Sequence, residues 1–350
     1  MFASIVCFAH SYDLSDDAGL AWIPTFLSPL VAVKAFFVVS GFLIFMSYER
    51  SSSLGSYAKK RIRRVYPAYF TVVTLAALCL VLVSRVSPAE YFSLDWLKYL
   101  AANLTFMNFV HPTLPGVFES NHMPHVNGAL WTLKVEVMFY ISVPIFAYVF
   151  RRFGHLAVIV AVYLASVAYH EYMSGVALRT GSGVYAELAK QLPGQLSYFM
   201  AGAFFYYFLP FFEKRAGYFV VPAVAVLAIG HVFALPWLEP LSLAAVVVFL
   251  GLFFYVGNFG KFGDFSYGVY ILHFPIIQVL LDRQWFTDSP WSFLAAVVSL
   301  TGIAAVLMWH LVEKRFLFRS SHYIAATKEK PATAADEPLQ LRGVGPDHRT

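Results

Sequence analysis

Charge is what this sequence has least of. Only 13% of its 350 residues are Asp, Glu, Lys or Arg, against about a quarter in ordinary soluble domains. Hydrophobic residues make up 59%, aromatic residues 18%, and the mean hydropathy is +0.65. A soluble globular domain is excluded. The formal net charge is +5, yet the basic residues gather at the ends of apolar runs, which argues against a nucleic-acid partner. Cysteine is scarce too. Cys7 and Cys79 each lie in an apolar run and read as buried thiols rather than as a disulfide or a metal pair. There is no CxxC, no HExxH and no Walker-type glycine loop, so neither a metal nor a phosphate cradle is signalled. No internal repeat is visible, which weakens an inverted-repeat transporter architecture.

Long apolar runs are what the chain does have. The run 27–46 is long enough to cross a bilayer. Further runs follow at 69–83, 129–150, 155–169, 194–212, 218–235, 241–256, 265–281 and 291–312. An apolar stretch at 1–12, too short to span, reads as the outer half of a first helix whose inner half is missing. No basic segment precedes it, so it is not a signal peptide. The expectation is an all-α polytopic membrane protein of about ten transmembrane helices, the first truncated. The segment 84–128, rich in aromatics, proline and histidine, reads as ordered and packed over the outer mouth.

Loop charge sets the orientation. Arg50, the cluster Lys59, Lys60, Arg61, Arg63 and Arg64, then Arg151, Arg152, Lys214, Arg215, Lys261, Lys314, Arg315 and Arg319 fall on alternate loops. Opposite loops carry few basic residues, among them Lys98, Arg179, Lys190 and Arg283. By the positive-inside rule both termini are cytoplasmic. Residues 1–318 form the membrane domain, and 319–350, rich in Pro, Lys, Glu and Asp, read as a disordered cytoplasmic tail.

Ionisable residues inside spans are functional candidates by default. His10 lies near the outer end of the first helix, one turn before Asp13. An imidazole suits proton abstraction from a hydroxyl, although an interfacial histidine is the plainer reading. Glu136 shares a helical face with Thr132 and Tyr140; acid–base work and helix positioning are equally open. His273 sits mid-span with Tyr270 one turn back, and a bonded core histidine explains it as well as a site does. Arg61 and Arg64, at i and i+3, can grip phosphate oxygens bidentately where Lys cannot, and Pro67 is expected to open the next helix. Ser40 and Gly41 keep one patch of the 27–46 helix small.

Together these segments resemble acyltransferase family 3, integral-membrane O-acyltransferases. The resemblance spans about residues 1–318 and rests on five segments in the family's order. FFVVSGFL contains Ser40 and Gly41. RIRRVYPAY carries Arg61, Arg64, Pro67 and Tyr69. LWTLKVEVMFY carries Trp131, Glu136 and Tyr140. FSYGVYILHFP carries Tyr270 and His273, and VEKRF closes the set. The resemblance implies transfer of an acyl group, acetyl above all, from cytoplasmic acyl-CoA to a hydroxyl of an extracytoplasmic glycan or polysaccharide, at the inner membrane and without a metal. His10 maps onto the family's catalytic histidine, and Arg61 and Arg64 onto the acyl-CoA side. On that reading Glu136 supports catalysis, Ser40 and Gly41 admit the donor arm, and Trp131, Tyr140 and His273 contact substrate. A departure is Lys34, where relatives often have an acidic or polar residue. A transporter or flippase for a glycan or lipid precursor, or a non-catalytic partner in polysaccharide export, would use the same polar residues to line a path.

Overall fold

The computed structural model describes residues 1–230, 232–254 and 263–317, and every regular element among them is helical. The main helices are α1 (Phe2–Ser15), α2 (Pro29–Glu49), α3 (Leu54–Cys79), α4 (Leu94–Leu104), α5 (Trp131–Phe153), α6 (His155–Thr180), α7 (Leu192–Tyr207), α8 (Ala216–Gly230), α9 (Glu239–Phe253), α10 (Ser266–Asp282) and α11 (Pro290–Met308). Five helical stretches are long and apolar enough to cross a membrane: Ala18–Glu49, Leu54–Leu82, Gly128–Phe153, His155–Thr180 and Pro290–Phe316. Three shorter apolar helices, α8, α9 and α10, join them. The protein is an all-α, multi-pass membrane protein. The expected tail 319–350, together with Lys261 and Arg319, lies outside the described residues.

Local chemistry explains where the key helices begin. Ser28 caps α2, its Oγ accepting from the Val31 amide at 3.3 Å, and Pro29 supplies a pre-set first turn. Ser53 caps α3 in the same way, through the Ser56 amide at 3.1 Å. One expectation is corrected here. Pro67 does not open a helix: α3 runs unbroken through it, so the basic cluster lies on the helix rather than before it. A proline removes one backbone donor, which a packed membrane helix tolerates, and within this helix the Thr71 hydroxyl adds a bond to the Pro67 carbonyl at 2.8 Å. A second correction concerns Cys79, which is exposed while Cys7 is buried. It sits at the C-terminal end of α3, where it lines an apolar groove shared with α10 and α11.

The tightest contact is between α2 and α7. A Cβ at Gly41 would collide with the Phe199 carbonyl, and one at Gly202 with the Val38 carbonyl. Reciprocal glycines thus let two backbones touch. Around this contact Phe37, Phe45, Phe139, Phe199 and Phe205 are fully buried and form the core. The segment 84–128 is ordered, as its composition implied. Tyr91 and Trp96 both donate to the Ala77 carbonyl of α3, at 2.9 and 2.8 Å. On the other side Gln278 of α10 donates to the carbonyls of Met123 and His125, the latter at 2.7 Å.

Candidate active site

A cavity of about 380 Å³ opens between α1, α2, α3, α5 and α10. Its polar wall comprises Ser40, Arg61, Arg64, Thr132, Glu136, Tyr140, Asp264, Ser266, Tyr267 and Tyr270, and its apolar wall includes Phe2, Val6 and Phe36.

At the basic end the two arginines differ. Arg64 is held by two carboxylates: Nη1 donates to Glu313 at 2.7 Å and Nη2 to Asp264 at 2.6 Å. Glu313 is only 2% exposed and belongs to a π-helical turn, Trp309–Glu313, at the end of α11. Such turns recur at functional positions because they re-aim a side chain without ending the helix. Arg61 is less engaged. Its Nη2 donates to Ser47 Oγ at 3.1 Å and its guanidinium lies 5.8 Å from the Tyr140 ring, while its buried Nε has no hydrogen-bond partner among the described residues. A buried unpaired donor on a cation is a costly arrangement, and an anion would relieve it.

In the middle of the cavity Tyr140 donates to Glu136 Oε1, as their i, i+4 spacing implied. Thr132 Oγ1 and the Tyr270 hydroxyl are 2.5 Å apart, and the Tyr270 ring stacks on Phe36 at 6.2 Å.

Beyond the cavity stand two histidines. On α1 the lining residues are Phe2, Ala3 and Val6, and His10 follows Val6 one turn on. On α10 they are Ser266, Tyr267 and Tyr270, and His273 follows Tyr270 one turn on. Both helices therefore extend the cavity wall by a turn to the same place. There His10 Nδ1 lies 2.8 Å from His273 Nε2, with ring centroids 5.1 Å apart and near-parallel planes. The partner of His10 is thus His273; Asp13, on the same helix, is exposed.

Comparison with known proteins establishes the family. The family model described as an acyltransferase domain matches residues 1–309. The chain belongs to acyltransferase family 3. It is similar to the O-acetyl transferase of Shigella phage Sf6, 28% identical over 329 residues, 91% of this chain and 94% of that one. It is also similar to nodulation protein 10 of Rhizobium leguminosarum bv. viciae, 26% identical over 339 residues, 88% and 89% of the two chains. The putative peptidoglycan O-acetyltransferase YrhL of Bacillus subtilis is 24% identical over 339 residues, covering 81% of this chain and 50% of that protein. No solved structure matches.

In this acyltransferase the residues singled out from sequence do not all converge. Ser40, Arg61, Arg64, Glu136 and Tyr140 line the cavity, and His10 and His273 meet one turn past it. Gly41 does not line it; adjacent helical residues point about 100° apart, and Gly41 turns to α7 while Ser40 faces inward. Trp131 is half-buried against the aromatic core rather than in the cavity. Lys34 forms an ion pair with Glu239 at 2.6 Å. Sequence reasoning missed Glu313, Asp264 and Phe36. Glu313 stands in the VEKRF segment that contributed to the family resemblance, which was the one available signal for it. Among the described residues, no three His, Cys, Asp or Glu side chains gather to hold a metal ion.

Proposed function

We propose that this acyltransferase moves an acyl group, acetyl first of all, from acyl-CoA on the cytoplasmic face to a hydroxyl of an extracytoplasmic glycan or polysaccharide. The observation that carries the reading is one continuous wall, with a half-buried, under-satisfied arginine at one end and a bonded histidine pair one turn past the other. Arg61 is the anchor for a donor phosphate, since its Nε lacks a partner among the described residues. Arg64, engaged by Glu313 and Asp264, shapes the wall beside it. His10 is the general base for the acceptor hydroxyl, and Glu136 with Tyr140 lines the path of the thioester arm. Loop charge supports the sidedness, with the arginine end and both termini cytoplasmic at the inner membrane. The relatives named as O-acetyl transferases support acetyl as the group, and the one named for peptidoglycan supports a polysaccharide-type acceptor.

Sealed inverted vesicles test this. Labelled acetyl-CoA supplied to the exposed cytoplasmic face should release free CoA there, while label accumulates on glycan in the lumen. A protein that moved glycan but left acetyl-CoA untouched would be a transporter, and the proposal would fail.

A further inference from the structure

The geometry points to His273 as the positioning residue that fixes the tautomer of His10 and makes Nε2 of His10 the nitrogen that accepts the proton. This inference rests on the acyl-transfer reading for its catalytic consequence, but the bonding stands on its own. His273 Nδ1 lies 3.1 Å from the Val269 carbonyl, one turn back on α10. A carbonyl can only accept, so Nδ1 of His273 carries the hydrogen. His273 is fully buried, at 0% exposed, and its polar contacts among the described residues are the backbone carbonyls of Val269 and Tyr270 and the ring of His10. With no carboxylate in the set, the ring is neutral, because an unpaired buried charge is heavily disfavoured. Its Nε2 therefore holds a lone pair. The neighbouring Nδ1 of His10, 2.8 Å away, must then be the donor. A neutral His10 with hydrogen on Nδ1 is left with one lone pair, on Nε2.

The bonds run in one direction, from His10 through His273 to the Val269 carbonyl. The arrangement does for His10 what a carboxylate does for the base of a hydrolytic triad: it selects the tautomer and holds the ring. Here the holder is neutral, in keeping with a site among apolar helices. In the reaction the acceptor oxygen forms a bond to the acyl carbon and the carbon–sulfur bond breaks. The hydroxyl proton passes to Nε2 of His10, and the resulting imidazolium keeps its Nδ1 hydrogen bond to His273. The same proton then goes to the departing sulfur, giving the free thiol and restoring neutral His10.

The test has one arm that does not depend on activity. Nitrogen-15 solid-state NMR of histidine-labelled protein in proteoliposomes reads the tautomers directly. In the wild type both His10 and His273 should carry hydrogen on Nδ1 and a bare Nε2. His273→Phe keeps an aromatic ring but removes the acceptor, so His10 should lose its Nδ1-protonated tautomer. In acetyl transfer kcat should fall by about 10- to 100-fold, the usual cost of losing such a supporting partner, with the donor KM unchanged. His273→Gln returns an acceptor oxygen near the Nε2 position and should recover most of the rate, which a purely packing role would not explain. A wild-type His10 protonated on Nε2 overturns the inference, as does a His273→Phe enzyme with wild-type kcat. Should the tautomers be as stated in a protein that leaves acetyl-CoA intact, the acyl-transfer reading fails and the assignment of the pair survives.

Discussion

Removing Arg64 should harm the fold more than it harms donor binding, and the size of the effect follows from its surroundings. Its side chain is 12% exposed and holds Glu313, 2% exposed, and Asp264, 23% exposed, by two short charge-assisted bonds. In Arg64→Met the Glu313 carboxylate would stay buried without its cation, and its Oε1 already lacks a partner among the described residues. Breaking one side of a buried pair costs about 3–5 kcal/mol, mostly from the orphaned charge. Replacing both partners by apolar side chains of similar size is often neutral. The double variant Arg64→Met/Glu313→Leu should therefore be more stable than Arg64→Met alone. The residual charge on Asp264 is tolerable because that side chain reaches solvent.

Thermal unfolding of the detergent-solubilised protein, followed by size-exclusion recovery, gives the ordering. The expected order is wild type, then the double variant, then Arg64→Met, with a coupling of about 2 kcal/mol between the two positions, within the range for residues sharing a network. Donor KM in the double variant should stay near wild type, since Arg64 is already occupied. If Arg64→Met unfolds like the wild type, or if the double variant is no better than the single one, the salt-bridged node is not what holds α3 against the end of α11. If instead the double variant is stable but cannot bind donor, Arg64 is a phosphate ligand and Asp264 and Glu313 are its resting partners.

Arg61→Lys keeps the charge and hence the topology but loses the planar fork, so membrane insertion should be normal and the acetyl-CoA KM raised; a wild-type KM would reduce Arg61 to a topology signal. Gly41→Ala drives a Cβ into the Phe199 carbonyl, which has no flexible side chain to move, and overpacking of that kind costs about 1–3 kcal/mol. Gly175→Ala on α6, whose nearest neighbour is the Arg179 tip at 3.8 Å, should be tolerated or stabilising by up to about 1 kcal/mol; equal thermal stability of the two variants would refute the α2–α7 backbone contact.

What could be read from sequence was whatever is local. The apolar spans, the basic cluster and the pairing of Glu136 with Tyr140 all follow from hydropathy and the helical period. The separation of Ser40 from Gly41 was legible in principle, because neighbours on a helix cannot face the same way. The non-local pairs were not. His10 and His273 stand 263 residues apart, and Arg64 reaches Asp264 and Glu313 across 200 and 249 residues. Each of those residues has an ordinary local explanation, as an interfacial histidine, a core histidine or a topology charge. Only the packing of α1 on α10, and of α3 on the end of α11, selects between those explanations and a site.

Proline shows where the local rules stop. A proline inside a helix leaves the carbonyl four residues back without its backbone donor, so Pro144 frees the carbonyl of Tyr140 and Pro275 that of Ile271. The sequence alone identifies both vacancies but not what fills them. Tyr57 of α3 donates its hydroxyl to the Tyr140 carbonyl at 3.0 Å, and Asn127, just before α5, donates its amide to the Ile271 carbonyl at 2.8 Å. Each bond ties a different element to a helix within a turn of a cavity or histidine-pair residue: Tyr140 itself in one case, Tyr270 and His273 in the other. The freed carbonyls thus become attachment points for neighbouring elements. The prolines that look like breaks in two spans are the means by which α3 and the segment before α5 hold the walls of the cavity at fixed positions.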